Sequence, residues 1–481
     1  MDKISTRDAS ITREIDGFRK ITPVNGFDAG NPDNAMQNNY AWSMAELGDY
    51  IYVGTARNIA YSVLNNKVVN SNLFGNIPVP PSLIPKNVDN SGEIWRYQKN
   101  GVSAWERVYK APPEPMNIGF RYMVSYRDAL YAGALTPLSP SLLILKSTDG
   151  LNWQPLNSGI EGYSTRAMTV HQGKLYMGAL PLLGAGPSKL YVSEDPENGW
   201  EEINLDGESG RNPRGNIDLL LSFNDHLYVG TALASGFELW RANGALPITN
   251  DWILVVDQGA GDARNEHPWS LGVFQDRIYL GTAIEIGVHS LNPDEPLIPP
   301  KGFDLIRVDR NDHWELIVGG PPVAPTDPVT GVRGEPLSGY KSGFNDLTNG
   351  YCWQIQSFGS ELYLGAWSWN DLIPAFIPVI PEYVGQLLSP DSSGSAPQIV
   401  DILKTIFNTK LAAKLYQLGR ETMGCDLWKT GDGIHWTPVS LNGLNNPYNY
   451  GIRMLFATAG GQQLYLGTAN PFQGCEVWLK E

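Results

Sequence analysis

One pattern of hydrophobic and polar positions recurs along the chain: an alternating strand, a short polar turn, and a second strand of the form apolar-Tyr-apolar-Gly. Alternation with a period of two predicts a strand with one buried face, and Asn, Asp or Gly between two such strands predicts a β-hairpin. A third strand and, in most copies, a fourth strand follow. The second strands are "IYVGTA" (51–56), "LYAGAL" (130–135), "LYMGAL" (175–180), "LYVGTA" (227–232), "IYLGTA" (278–283), "LYLGAW" (362–367) and "LYLGTA" (464–469).

Seven repeats of four short antiparallel strands are typical of a β-propeller, in which each blade packs only on its neighbours. The seventh copy reaches Glu481 without a fourth strand, while residues 17–27 have the form of the fourth strand at 435–444. Pairing of this N-terminal strand with the last blade would remove an exposed edge. The sequence predicts an all-β fold: a seven-bladed β-propeller over residues 16–481, closed by residues 17–27, with residues 1–15 as an N-terminal tail.

The blades differ in length, and blades one, five and six exceed the about 40–50 residues that a plain blade needs. We expect all three insertions between the second and third strands, on one face of the ring. The longest, residues 370–423 in blade six, keeps helical spacing of apolar residues over 399–418 and predicts a partly helical cap. The inserted loops are rich in Pro, Leu and Ile, which favours a hydrophobic pocket or an interaction surface over loops that only pack on each other.

Several turns between third and fourth strands resemble the Asp-box of sialidases and other propellers, for example "STDGLNW" (147–153) and "TGDGIHW" (430–436). In such a turn the hydroxyl and the carboxylate accept hydrogen bonds from nearby backbone N–H groups. This pattern indicates a structural role, not a catalytic one.

Composition narrows the range of partners. The net charge of −15 argues against nucleic acid, which needs a basic surface, and no stretch of eighteen apolar residues predicts a membrane span. The polar N-terminus predicts no secretory signal, and three cysteines without a CxxC pair favour a reducing compartment. We therefore expect a cytoplasmic protein. The oligomeric state is left open.

The first strand of each blade lines the central channel, and one position on it carries unusual side chains. Lying about ten residues before the tyrosine of each second strand, these are Trp42, Arg121, Arg166, Asp218, Trp269, Trp353 and Arg453. Structural channels are usually lined by small or apolar residues. Guanidinium groups bind anions such as carboxylates, and tryptophans stack on apolar or aromatic ligands.

The connections beside this position add His267, Asp346, Tyr448 and Tyr450 as acid, base or hydrogen-bonding groups. We assign catalytic roles to Arg121, Arg166, Asp218, Arg453, Tyr450 and His267, and substrate binding to Trp42, Trp269, Trp353, Tyr448 and Asp346. The alternative for each loop residue is capping of its own loop or packing beneath it.

Motifs of other chemistries are missing from the sequence: it has no HExxH, no Walker loop, no GxSxG and no metal-spaced Cys/His cluster. With six histidines, two of them in hairpin turns on the opposite face, a four-His metal centre is not expected. We predict no cofactor and no catalytic metal. A loop rich in Asn and Asp could still hold a structural calcium.

The phrase "LYLGTAN…GCEVW", together with "GFELWR" and "STDGLNW", resembles a broad bacterial class of propellers with GT(A/S)N…ELW repeats. The resemblance covers essentially the whole chain and implies the fold more than a function. One branch is the propeller of the cyanobacterial alkylating enzymes that form cylindrocyclophanes by joining a resorcinol ring to a secondary alkyl chloride. That family also carries a calcium-binding β-roll of Gly-Asp repeats, which this sequence lacks, and no catalytic residue carries over.

Two hypotheses of function follow. The first is an enzyme of specialised metabolism that alkylates or cyclises a hydrophobic or aromatic small molecule, with polar groups at the channel mouth and apolar loops around the hydrocarbon. The second is a non-catalytic propeller that binds a carbohydrate or a protein. A lectin would repeat equivalent sites between blades, whereas the channel residues here differ from blade to blade, which favours one asymmetric site.

Overall fold

The computed structural model describes residues 14–66, 77–101, 103–113, 117–136, 141–182, 186–205, 211–284, 301–379 and 423–481. Antiparallel strands dominate these residues, which confirms the prediction of an all-β fold. The helices are short: α1 Pro32–Gln37, α2 Ile59–Asn65, α3 Gln258–Gly261 and α4 Leu372–Phe376, with 3₁₀ turns at Pro81–Leu83, Ser342–Asn345 and Ile377–Val379.

Successive strands pair into antiparallel units, numbered here in chain order, each beginning with a hairpin. Unit one contains β3 Asn38–Leu47, β4 Tyr50–Arg57, β5 Glu93–Gln98 and β6 Glu106–Lys110; unit two contains β7 Gly119–Tyr126, β8 Ala129–Leu135, β9 Ser141–Ser147 and β10 Gln154–Glu161. Unit three contains β11 Tyr163–His171, β12 Lys174–Pro181, β13 Lys189–Ser193 and β14 Glu201–Ile203; unit four contains β15 Asn216–Phe223, β16 His226–Ala232, β17 Glu238–Ala242 and β18 Trp252–Val256.

The remaining units follow the same order. Unit five contains β19 His267–Phe274, β20 Arg277–Ala283, β21 Leu305–Val308 and β22 Trp314–Val318; unit six contains β23 Asn349–Phe358, β24 Glu361–Ser368, β25 Leu427–Thr430 and β26 Trp436–Ser440. Unit seven contains β27 Gly451–Ala457, β28 Leu464–Ala469 and β29 Val477–Lys480, and the N-terminal strands are β1 Glu14–Ile15 and β2 Phe18–Lys20.

Strand β2 completes unit seven as its outer strand. It pairs antiparallel with β29, with Arg19 opposite Leu479 and Lys20 opposite Trp478. Beyond the strand, the backbone N–H of Ile21 donates to the carbonyl of Val477 at 2.9 Å. The fully buried Phe18 ring packs edge-on against Tyr363, and this contact joins the N-terminal segment to unit six as well.

In units one, four and seven the third strand carries Glu-x-Trp, whose buried carboxylate accepts hydrogen bonds from within the unit. In unit seven, Glu476 accepts from Asn449 at 2.8 Å and from the Trp478 indole at 3.0 Å. In unit one, Glu93 accepts from Asn38 and from the Trp95 indole, both at 2.9 Å. Because these carboxylates accept several hydrogen bonds from the protein itself, the Glu-x-Trp sequence has a structural role.

The turn at 147–153 is closed by its own side chains. Asp149 accepts from the backbone N–H groups of Leu151 and Asn152 at 2.8 Å, and Ser147 accepts from Gly150 at 2.9 Å. These backbone hydrogen bonds lower the pKa of the Asp149 carboxyl. The carboxylate is therefore occupied locally, as expected for a structural turn.

The prediction that all extra length lies between second and third strands is wrong for unit five. Residues 319–348, between β22 and β23, form a long connection without strands. Two buried carboxylates hold this connection in place: Asp262 accepts from the backbone N–H of Val323 at 2.9 Å, and Asp304 accepts from Arg333 at 2.8 Å. The spacing between successive tyrosines gives only the total number of inserted residues in a unit. It does not show how many of them lie between the second and third strands and how many lie after the fourth strand.

Two sequence predictions fall largely outside the described residues: the N-terminal tail at 1–15 and the helix at 399–418. Of the blade-six insertion, residues 370–379 and 423 are described, and they include α4. Cys352, Cys425 and Cys475 are buried and free. Within the described ranges, no helix is long and apolar enough to cross a membrane.

Candidate functional site

The first strands of the units share an irregularity at the predicted channel position. The hydrogen-bond register of each first hairpin slips by one residue there, between Phe120 and Tyr122 in unit two and between Ile452 and Met454 in unit seven. A β-bulge of this kind leaves one residue without a cross-strand partner and re-aims its side chain. The residues skipped by the register are Trp42, Arg121, Arg166, Asp218, Trp269, Trp353 and Arg453.

Two of the three arginines stack on a shared tryptophan. The Cζ atoms of Arg121 and Arg453 lie 5.5 and 5.9 Å from the centre of the Trp42 ring. Arg453 also lies over Trp353, at 5.3 Å from its ring centre. A guanidinium over an indole face is attracted by the negative face of the ring, and its N–H edge stays available for a ligand.

The third arginine belongs to a buried chain of charged groups. Arg166 stacks over Trp269 at 4.7 Å and donates to Asp218 through Nε and Nη2, both at 2.7 Å from Oδ1. The other oxygen of Asp218 lies 2.7 Å from His267 Nδ1. Burial raises the pKa of Asp218, but the charges and hydrogen bonds of Arg166 and His267 outweigh it and lower the pKa overall.

Arg121 and Arg453 have no such counterion among the residues that the structure describes. Arg453 is buried, and the Nε of Arg121 is enclosed without an acceptor. Burial and the charges of Arg166 and Arg453 hold the pKa of Arg121 well below its usual range. Burial likewise lowers the pKa of Arg453 to about 10. The site therefore holds positive charge that the described part of the protein does not neutralise, which is costly without an anion.

Aromatic rings form a continuous wall beside the arginines. Tyr351 lies 4.9 Å from Trp269 and 4.4 Å from Trp367, measured between ring centres. Tyr450 contacts Trp367 at 5.9 Å, and its hydroxyl meets that of Tyr40 in a short hydrogen bond. Burial raises the pKa of Tyr40 to about 12 and that of Tyr450 further, so both hydroxyls stay protonated at neutral pH.

The wall also offers donors without acceptors. The indole N–H groups of Trp353 and Trp367 are enclosed and have no hydrogen-bond partner among the described residues. An indole N–H and a guanidinium can only donate. With Arg121 Nε, they form a set of donors that suits a ligand rich in acceptors.

Two predicted residues have their contacts elsewhere. Asp346 closes its own turn by accepting from the backbone N–H of Thr348 at 2.8 Å and from its hydroxyl at 2.7 Å. The Tyr448 ring contacts Phe472 at 5.5 Å between ring centres. Neither makes a described contact with the three arginines. His267 and Tyr450, by contrast, do belong to the cluster.

One candidate was missed from the sequence. Asp371, at the start of α4, is buried, and its Oδ1 accepts from the backbone N–H of Gly424 at 2.6 Å. Within the described ranges, its Oδ2 has no hydrogen-bond partner. Burial raises the pKa of Asp371 to about 8, although the Gly424 hydrogen bond partly offsets this effect. Its charge in turn contributes to the raised pKa of Tyr450, which places it near the aromatic wall. In sequence, "WSWND" reads as an ordinary polar turn.

Asp371 predicts a specific dependence of stability on pH. Since its pKa is raised on folding, the folded protein holds a proton that the unfolded chain releases, and stability falls as pH rises from about 4 towards 8. Asp371→Asn should remove up to about 1.4 kcal/mol per pH unit of this slope, measured by urea unfolding across the window. Asp276→Asn, at an exposed ion pair, is the control. Equal slopes in wild type and Asp371→Asn would contradict the assignment.

Metal ligation finds no support within the described ranges, where no group of three or more His, Cys, Asp or Glu side chains could hold an ion. The cluster of arginines and tryptophans is suited to an anion, because its polar atoms without a partner among the described residues are donors. Its chemistry is therefore that of charge and hydrogen-bond recognition.

Comparison with known proteins adds little to this picture. No family model matches the chain, and no curated protein matches its sequence. Among solved structures, that of Saccharomyces cerevisiae Sqt1 aligns over 92% of this chain and 96% of its own, with a TM-score of 0.43 and 8% sequence identity. A similarity at this level carries no argument about function, so functional inference rests on the geometry of the chain itself.

Proposed function

We propose that the units form a seven-bladed propeller closed by β2. Bridges between the second strand of one unit and the first strand of the next support this arrangement, including Ala56 with Gly119 and Ala469 with Tyr40. The second of these bridges joins unit seven to unit one, as ring closure requires. The contact of Arg453 with Trp42 joins the same two units at the centre.

We propose further that the channel site of this propeller binds an anionic small molecule and acts as a binding site without catalysis. The observation that carries this proposal is the pair of guanidiniums over Trp42, the buried Arg453 and the half-buried Arg121, with no counterion among the described residues. A carboxylate or phosphate would satisfy both charges and accept from their N–H groups. The cost of keeping one buried and one half-buried cation unpaired favours a ligand at this site.

The body of this ligand is apolar or aromatic. The guanidiniums lie within a wall formed by Trp42, Trp353, Trp367 and Tyr450, and such rings favour hydrocarbon or a flat π-system next to the charge. The different residue in each unit makes one asymmetric site, which fits a single small molecule better than a repeated glycan or peptide epitope.

Catalysis is the second candidate, and the hydrogen bond between Asp218 and His267 favours it. A carboxylate on Nδ1 orients an imidazole and raises its basicity, as in many general bases. In this case the protein would alkylate or cyclise a hydrophobic substrate in specialised metabolism, the chemistry that the sequence resemblance implies. Arg121 and Arg453 would then hold the anionic group of the substrate or a leaving group.

Matched pairs of anionic and neutral probes test the proposal. We expect benzoate, decanoate and phenyl phosphate to bind more tightly than about 1 mM, and benzyl alcohol and decanol at least about tenfold more weakly. Isothermal titration calorimetry at two salt concentrations measures both affinity and its ionic component. No binding by any of the three anions, or equal binding of the neutral probes, would contradict an anion site.

The same samples distinguish binding from catalysis. Mass spectrometry of each probe after long incubation shows whether it is returned unchanged. Recovery of unchanged probe supports a binding protein, whereas a product that disappears in His267→Gln supports the catalytic candidate.

A further inference from the structure

A cavity whose lining includes none of Arg121, Arg166 and Arg453 lies between the N-terminal segment of unit seven and the outer strands of unit one. Its volume is about 900 Å³. Its lining includes the aromatic side chains of Tyr97 and Trp105 and the amides of Asn25, Asn446 and Gln473. Pockets of about 300–1,000 Å³ with aromatic walls and a few polar groups are typical ligand sites.

Trp105 forms a rigid platform at this cavity. Its indole N–H donates to the carbonyl of Ile21 at 2.8 Å, and its ring lies 4.7 Å from Phe27 and 5.0 Å from Tyr97, almost parallel to the latter. The tryptophans that begin the fourth strand in other units include Trp153, Trp252, Trp314 and Trp436, which are all buried. Trp105 is only partly buried, so the repeat position here offers an accessible aromatic surface.

The charged groups that line the cavity are paired within the protein. Lys20 donates to Glu476 at 2.9 Å, and Arg19 lies 3.2 Å from Glu481. Asp28 accepts from the Asn34 amide at 2.9 Å. Because these charges are compensated, the cavity has no strong preference for an ion, in contrast to the channel site.

The remaining polar groups suit a ligand that both donates and accepts. Asn446 uses its amide within the protein: Nδ2 donates to Gln473 Oε1 at 3.0 Å and to Glu476 Oε1 at 2.9 Å, and Oδ1 accepts from the backbone N–H of Tyr448 at 3.2 Å. The carbonyls of Asn25 and Gln473 each accept one hydrogen bond, from Lys20 and Asn446, and each keeps a second lone pair together with an NH₂ group that donates. A sugar ring presents hydroxyls of the same dual character around its rim and C–H groups on its faces, which pack on aromatic rings. A volume near the upper end for ligand sites gives room for more than one ring.

We propose that this cavity binds a neutral oligosaccharide, with a sugar ring stacked on Trp105 and hydroxyls bonded to the amides of Asn25 and Gln473. The site is independent of the channel. Its ligand carries no charge, and its residues belong to the junction between units seven and one. The protein would then recognise a glycan on its side and an anionic small molecule at its centre.

Calorimetry and saturation-transfer NMR with three probes, maltotetraose, cellotetraose and the tetramer of N-acetylglucosamine, test this site. We expect at least one to bind the full chain more tightly than about 1 mM, and Trp105→Ala to weaken that binding by about tenfold or more. Trp200→Ala is the matched control, since Trp200 holds the same repeat position and is likewise partly buried but does not line the cavity. The Trp200→Ala variant should bind the tetrasaccharide with the same affinity as the wild-type protein.

Gln473→Ala gives a second test on a side chain that is not part of the hydrophobic core, and it decides the matter if Trp105→Ala does not fold. We expect a loss of affinity of roughly threefold to tenfold. Absence of binding by all three probes overturns the proposal. So does binding that survives Trp105→Ala and Gln473→Ala unchanged, or that Trp200→Ala weakens equally. Because the channel residues are untouched, binding of benzoate or decanoate should persist in every variant.

Discussion

Arg121→Met is expected to make the ligand-free protein more stable and to abolish useful binding of anions. The guanidinium has an enclosed Nε and no counterion among the described residues, and burial together with the charges of Arg166 and Arg453 lowers its pKa. Methionine keeps the long apolar stem against Trp42 and removes the charge. Replacement of buried charge by apolar groups of similar volume commonly stabilises, here by about 1–3 kcal/mol.

The same change should weaken the carboxylate probes by roughly 100-fold, because a desolvated charge pair is lost. Urea unfolding without ligand measures the gain in free energy of unfolding, and calorimetry with benzoate and decanoate measures the loss of affinity. Arg453→Met should act in the same direction. Arg310→Met, at an exposed pair with Asp276, is the control and should change stability by less than about 0.5 kcal/mol.

Opposite signs for stability and binding are the diagnostic result. A residue that only supports the fold would lose stability when truncated and would affect binding no more than its damage to the fold explains. If Arg121→Met destabilises the ligand-free protein by as much as a core deletion, the guanidinium has a structural partner and the anion site is wrong.

Counting from the repeated tyrosines was enough to find seven residues at equivalent positions, each at the bulge of a first hairpin. Because every hairpin has nearly the same length, a fixed offset reaches the same structural level in each unit, and residues such as Arg121 and Arg453 do meet over Trp42. The bulges at these positions could not be predicted, since one skipped residue leaves the surrounding alternation almost intact. The bulge explains why charged side chains fit on strands whose other residues pack in the core.

Residues in connections were harder to place because their neighbours in sequence are not their neighbours in space. Asp346 lies just before a first strand, yet its carboxylate accepts a hydrogen bond from the backbone N–H of Thr348, two residues later. Asp371 lies in a polar stretch, yet its carboxylate accepts a hydrogen bond from the backbone N–H of Gly424, more than fifty residues away. Local hydrogen bonds of Asp and Asn compete with long-range contacts in ways that the sequence pattern does not reveal.

Arg166→Met is expected to have the opposite effect on stability from Arg121→Met. Arg166 is the strong partner of Asp218, which is almost completely buried and accepts two hydrogen bonds from it. Removing one member of a buried ion pair leaves a charge without compensation, at a cost of about 3–5 kcal/mol. Urea unfolding at neutral pH should show this loss, even though the two arginines occupy equivalent positions in neighbouring units.

A double-mutant cycle isolates the cause. Asp218→Asn in the Arg166→Met background removes the stranded charge, and an amide can still hydrogen-bond to His267 Nδ1, so most of the lost free energy of unfolding should return. The single variant should also lose stability more steeply as pH rises above about 4, because Asp218 is no longer held ionised by Arg166 and resists releasing its proton. If the double variant is no more stable than Arg166→Met alone, the loss comes from packing over Trp269 and the ion pair contributes little. A loss of stability in Arg166→Met and a gain in Arg121→Met would show that Arg166 stabilises the fold through Asp218, whereas the charge of Arg121 serves to bind an anion.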